Sequence, residues 1–412
     1  MTATEERALD DAIQVAPLVL RDAAKRQKVE DLLEQMRFSA ATVRKIQEIF
    51  VSEMEKGIHQ QPSSLQMENT YIPELPDGTE SGLFLALDLG GTYFRMILLE
   101  LDMGRVVRET VQKYDISVEL RIGSGIRLFD YLAACVSDFV INQGLQDVEL
   151  PLGFTFSFPM NQHSLDVGVL TTWTKTFNCP DVVNKDAVKL LRDALDRRGD
   201  TKVIIDIEWG AFGDNGVLEF IKTDFDREND ANSLIINSFT FEKYIGGKFL
   251  GEVVRVVLKQ LYEKGLLFES HNPTDLLTPG TLTSDLVSDV ESDTVHGGFE
   301  NTRKVLQKFG ITTEEDDMKI VQYVCEVVSN RAALLISICL AALLERMNKK
   351  SATIAVDGSL YKHHPRLKGW MNQYISLLAP RHKFKLIGAE DGSGKGAALV
   401  AAIAMRLKKR LE

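Results

Sequence analysis

The chain has 412 residues, which at roughly 150 residues per domain makes two or three domains with ample core. Apolar residues make up 44% and charged residues 26%, an ordinary globular balance that excludes disorder, collagen and coiled coil as descriptions of the whole. Asp plus Glu (59) exceeds Lys plus Arg (48), a net charge of −11 that disfavours nucleic-acid binding, although a local basic groove still suits a small phosphate.

In chain order, residues 1–37 are charge-rich, with a helix predicted over 21–36. Ser39 stands where a cap belongs, and Val43, Ile46, Phe50 and Met54 share one face of a second helix that Gly57 ends. Residues 59–82 carry three prolines and an Asp77-Gly78 turn and read as a linker or surface loop. A β-meander follows: an apolar strand over 83–89, a turn at Gly90-Gly91-Thr92, a returning strand over 94–101, a turn at Met103-Gly104, and a third strand over 106–114. Ile126, Phe129, Leu132, Val136 and Phe139 form one helical stripe. Residues 150–158 alternate as a half-buried strand does, 169–175 form another strand, and 184–198 form a helix. The second half opens with a strand over 203–209, followed by helices over 241–264, 298–309 and 314–348. A strand at 353–356, a helix near 364–378, a strand at 384–388 and a final helix to Arg410 complete an α/β protein of two lobes.

Cys135, Cys179, Cys325 and Cys339 form no CxxC pair, which argues against a disulfide framework or zinc site and suits a reducing cytoplasm. His363 and His364 are adjacent and poorly placed to share one metal. The acidic start MTATEERALDD does not resemble a signal peptide. The longest apolar run, 332–344, is short of the roughly 20 residues a membrane span needs and reads as a core helix.

Asp88-Leu89-Gly90-Gly91-Thr92 delivers a carboxylate to a glycine hairpin tip, where backbone N–H groups can approach a phosphate. Asp88 there suits Mg²⁺ held through water, and Arg95 suits phosphate neutralisation. A plain tight hairpin with a solvated Asp explains the same residues equally well. Glu390 to Ala397 (EDGSGKGA) joins a strand to a helix, placing free N–H groups and the helix dipole together, yet lacks Walker A spacing. Val356-Asp357-Gly358-Ser359 is a weaker turn of the same kind, and ordinary capping accounts for both. Ser157 and Thr174-Lys175 end two strands and suit a polyol. Trp173 reads as core or rim packing. Asp206 and Glu208 share one face of a strand, where sugar hydroxyls or plain solvent would satisfy them. Glu252 carries no signal of its own.

Five stretches in order, LALDLGGTYFRMILLELD, LPLGFTFSFPMNQHSLDVGVLTTWTKTFN, IEWGAFGDNG, AVDGSLYKHHP and EDGSGKGAAL, resemble the eukaryotic hexokinase family of single-unit invertebrate type, over about residues 20–408. The resemblance implies an actin-like, ribonuclease H-like sugar kinase fold. Residues 1–65 would be N-terminal helices on the large lobe, 66–200 the small lobe and 201–412 the large lobe. It implies ATP and Mg²⁺, transfer to the 6-hydroxyl of glucose or a similar hexose at the entry to glycolysis, a cytoplasmic setting and a monomer. By motif, Asp88, Gly90, Gly91, Thr92 and Arg95 would form the first phosphate hairpin and magnesium site. Gly358, Ser359, Gly392 and Ser393 would face the nucleotide. Ser157, Thr174, Lys175, Asp206, Glu208 and Glu252 would face the sugar, with Lys175 also near the transferred phosphoryl group.

The chain departs from the family in one large way. Between LLRDALDRRGD and EWGAFGDNG it has only residues 201–207, where the family carries an Asn-Asp-Thr-Val-Gly-Thr segment and then a second phosphate hairpin. The family's base Asp lies in that segment. Its loss implies a large lobe without central strands and a base deficit of about 10²–10⁴ in rate. A non-catalytic hexose-binding or regulatory relative, or an unstable truncated product, are the alternatives. Smaller departures are Tyr93 for Asn, Thr176 for Gly, Asp206 for Asn, and Cys339, Ala355 and Ala389 for Gly, Gly and Ser.

Overall fold

Three apolar runs separated by glycine turns close into the antiparallel meander that their spacing demands. β1 (Gly82–Leu89), β2 (Tyr93–Asp102) and β3 (Arg105–Asp115) pair in sequence, with Asp88 opposite Arg95 and Asp102 opposite Arg105. The structure, a computed structural model, describes residues 3–59, 61–65, 67, 76–90, 93–146, 148, 150–164, 167–174, 176–196, 210–269, 271–312, 314–348, 350–389 and 392–411. β4 (Leu152–Phe156) runs parallel to β1, giving the order β3-β2-β1-β4.

The chain forms two compact units: Glu68–Trp209 with Glu390–Glu412, and Met1–Met67 with Gly210–Ala389. The last helix, Gly392–Leu411, therefore belongs with the meander, although chain order groups it with residues 201–389. Strand alternation gives the reason. One face of the sheet (Leu85, Leu87, Leu89, Phe94, Met96, Phe154, Phe156) packs on Leu128, Phe129, Leu132, Val136 and Phe139 of the helix Gly125–Asn142. The other face (Phe84, Ala86, Ile97, Leu99) takes Ala397, Ala398, Ala401 and Ala402 of the final helix. Each large apolar side chain so buried contributes about 1.5–3 kcal/mol. Ile126, read from the sequence as part of the inward stripe, lies at the helix start and is exposed.

This double cover corrects one expectation. β4 is buried along its whole length, not half-buried, because the final helix lies on its second face. A Cβ built on Gly153 would overlap the Ala397 carbonyl, so glycine there permits the close approach. The strand expected over 169–175 lies earlier, as the hairpin of β5 (Met160–Ser164) and β6 (Val167–Leu170). Trp173 leaves the ladder to pack among Phe156, Phe158 and Phe177, and its Nε1 donates to the Cys179 carbonyl at 2.6 Å. It is core, and stacking on a ligand is excluded by its burial. The strand expected over 203–209 lies outside the described residues.

The other unit is built mainly of helices. The run 332–344 lies in the helix Glu315–Met347, which is long and apolar enough to cross a membrane but is mostly buried as core. Around it pack the helices Ala40–Ile58, Gly247–Glu263 and Leu367–Leu378. Ser39 caps the first of these by accepting from the Thr42 amide. Gly57 does not end that helix; it lies inside it, pressed against the Leu65 carbonyl. The expected 241–264 helix breaks at Gly246, whose extended backbone separates Thr240–Ile245 from Gly247–Glu263. Helices Ala3–Ile13, Asp224–Ala231 and Ser284–His296 escape the sequence reading.

Among the described residues this unit holds one sheet, the parallel pair β7 (Ser351–Val356) and β8 (Lys383–Gly388). Parallel strands are normally covered on both faces. Here Ala352, Ile354, Val356, Phe384 and Leu386 face the core, while Thr353, Ala355, Lys385 and Ile387 are exposed.

Candidate functional site

Asp88 is the penultimate residue of β1 and is 2% exposed. Its cross-strand partner Arg95 donates from Nη2 to Asp88 Oδ2. Gly90 continues from the strand end, half-buried; Gly91 and Thr92 lie outside the described residues. The helix Gly392–Leu411 begins beside this hairpin: a Cβ on Gly394 would lie 4.0 Å from Asp88 Cβ. The first and last glycine-rich motifs, read from the sequence as parts of different lobes, thus meet in one unit around a buried carboxylate and a guanidinium. The 20-residue helix turns its positive end there. Gly392 and Ser393 are its first two residues. Lys395 is drawn toward β3, with Nζ 3.1 Å from Glu109 Oε2.

Ser157 follows β4 and is nearly buried, its amide donating to the Leu89 carbonyl. Thr174 is buried, and its carbonyl accepts from the Phe177 amide. The two segments are neighbours: the Thr171 amide donates to the Pro159 carbonyl at 2.9 Å, and the Phe158 and Trp173 rings lie 4.7 Å apart. Lys175, Asp206 and Glu208 lie outside the described residues. Thr176, a departure from the family, accepts from Arg121 Nη1 at 3.0 Å.

Glu252, Gly358 and Ser359 belong to the other unit. Gly358 follows β7 with φ +150°, and Ser359 opens the short helix Ser359–His363. The Ala389 amide donates to the Val356 carbonyl, so the C-terminal ends of β7 and β8 stay together. Glu252 sits on the helix Gly247–Glu263, its carboxylate held by the Arg255 fork: Nε to Oε2 at 2.9 Å and Nη2 to Oε1 at 2.6 Å. The Gly280 amide donates to Oε2 at 3.0 Å. Arg255 escapes the sequence reading. Its only signal is the Glu-x-x-Arg spacing inside an apolar helix, which places acid and base on one face.

The strongly shifted acids and bases of this unit serve structure. His364 Nδ1 accepts the amides of Arg366 and Leu367, which opens the helix Leu367–Leu378, and burial with nearby Arg366 holds its ionisation down at about 4. Burial pushes the Glu291 carboxyl up to about 8, since its partner Arg366 is shared with Glu326. Glu53 is fully buried, yet donors from Lys56, Ser64 and Asn215 hold it down at about 2. Among the described residues no group of three or more His, Cys, Asp or Glu is placed to hold a metal ion.

A buried carboxylate, its paired guanidinium and a helix N-terminus thus lie together in one unit of an α/β protein. Residues 28–208 and 174–403 each match a family profile described as Hexokinase. The chain belongs to the hexokinase family. It is 36% identical to hexokinase-1 of Mus musculus, covering 96% of this chain and 47% of that protein, and 36% identical to hexokinase-2 of Rattus norvegicus, covering 92% and 48%. It spans about half the length of the curated relatives it matches. The mouse alignment runs over 462 positions, so at least 50 have no counterpart among these 412 residues. A hexokinase from Schistosoma mansoni complexed with glucose superposes with a TM-score of 0.87 at 32% identity, over 93% of this chain and 100% of that one. A second hexokinase crystal structure gives 0.77 at 26%, over 93% and 100%.

Proposed function

We propose that the chain binds ATP and a hexose and transfers phosphoryl to the sugar 6-hydroxyl, at a rate held low by the missing base segment. The observation that carries this reading is the meeting of the Asp88 hairpin with the N-terminus of Gly392–Leu411. Helix dipole and Arg95 both favour negative charge there. One carboxylate suits a magnesium ion that keeps most of its water and takes phosphate oxygens for the rest, so the residues present fit it through Asp88. Bound there, magnesium would screen phosphate charge. Gly90, Gly91, Thr92, Gly392 and Ser393 would hold phosphates, and Gly358 and Ser359 would flank the nucleotide. Ser157, Thr174, Lys175, Asp206, Glu208 and Glu252 would take sugar hydroxyls. In the transfer the 6-oxygen bonds to the γ-phosphorus, the bond to the β–γ bridging oxygen breaks, and ADP leaves. The hydroxyl proton passes to solvent in place of the family's Asp. Four buried thiols favour a reducing, cytoplasmic setting, and we take the chain as a monomer.

A coupled assay for ADP with purified protein tests this. Slow turnover that needs both glucose and ATP is expected. No rate above a heat-killed control would overturn the enzymatic reading. The absent base segment favours a second reading, a hexose-binding relative without turnover. Glucose-dependent thermal stabilisation with no ADP formed would select it.

A further inference from the structure

We infer that Arg255 and the Gly280 amide are positioning groups that leave Glu252 open to a single sugar hydroxyl. The inference rests on the hexose-binding reading above. A carboxylate has about four lone-pair positions. On Oε2 two are used, by Arg255 Nε at 2.9 Å and Gly280 N at 3.0 Å. On Oε1 one is used, by Arg255 Nη2 at 2.6 Å. Among the described residues, one position on Oε1 remains. The Arg255 side chain is 1% exposed and that of Glu252 14%, so the pair is shielded from solvent while the carboxylate stays reachable.

The fork is itself anchored. Arg255 Nη1 donates to the Leu277 carbonyl at 2.6 Å, tying the helix Gly247–Glu263 to the loop that carries Gly280. Gly280 has φ +83°, a left-handed conformation that glycine adopts without strain and that aims its amide at Oε2. Lysine keeps the charge at 255 but supplies a point donor, so it cannot hold both oxygens in one plane. Arg255 therefore acts through Glu252 and touches no substrate.

The test measures affinity for glucose and for each monodeoxyglucose by thermal shift, in the wild type, Glu252→Gln and Arg255→Lys. In the wild type, one deoxy sugar is expected to owe its weakness to Glu252, so that its penalty collapses in Glu252→Gln while the others stay. Arg255→Lys is expected to bind glucose about tenfold more weakly and to lose that same discrimination. A merely structural Arg255 would lower the melting temperature and leave the ratios between sugars unchanged, which would overturn the inference. If Arg255→Lys does not melt cooperatively, wild type and Glu252→Gln decide alone: discrimination spread over two or more hydroxyls overturns the single-hydroxyl geometry. No glucose shift in the wild type overturns the hexose reading and this inference together. A normal wild-type shift with unchanged variants overturns this inference only.

Discussion

The two units treat their sheets in opposite ways. Along β1, β2 and β4 helices cover both faces, while β3 is a largely exposed edge strand; the carboxylate near the end of β1 is buried and paired. The β7–β8 pair has a core on one face and exposed residues on the other. Strands covered on both faces hold their ends rigidly, because side chains on either side of the sheet are packed. The two-stranded pair relies on the helices behind it.

Four measurements break or sharpen this comparison. Phe154→Ala in β4 should cost about 3–5 kcal/mol in urea unfolding, whereas Ile387→Ala on the open face of β8 should cost under about 1 kcal/mol. Similar losses would end the distinction. Gly153→Val should destabilise by about 2–3 kcal/mol, because its side chain must displace the final helix at Ala397.

Acid should weaken the helical unit through His364. Its folded ionisation lies at about 4, below the ordinary 6.5, so the unfolded chain takes the proton first. Stability is complete above about pH 6.5 and is lost as pH falls through 4, by on the order of 2–3 kcal/mol. The difference between wild type and His364→Asn in urea melts at pH 7 and pH 4.5 isolates this contribution. Smallest of all, Gly369→Ala should raise stability by about 0.5–1 kcal/mol, since a Cβ there meets nothing within the helix Leu367–Leu378. Destabilisation would show that this helix is more tightly packed than its surroundings indicate.

Much of the fold was legible because its signals are local. Alternation and glycine turns placed the meander nearly residue by residue, and Ser39 marked its helix start. The candidate site was legible in type: Asp88, Arg95 and the glycine turns stand out by chemistry. Three things were hidden. β4 alternates like a half-buried strand, since Gly153 and Thr155 hide the fact that a helix covers them. Thr171 to Thr174 have strand-like composition, yet the aromatic cluster around Trp173 takes them off the ladder. Glu252 looks ordinary until the Arg255 fork and the Gly280 amide, 28 residues away, are seen on its two oxygens.

By itself the sequence determined the class of elements, the acidic and cysteine-poor character, and the motifs that mark a hexokinase with a missing stretch. Those depend on spacing along the chain, which folding does not alter. Only the tertiary structure decided that the last helix joins the first sheet, that the first and last glycine motifs meet at Asp88, and that Arg255 orients Glu252. These are contacts between residues far apart in the chain, or choices among faces that several partners would fit. They are decided by which surfaces bury the most apolar area while leaving every polar group a partner.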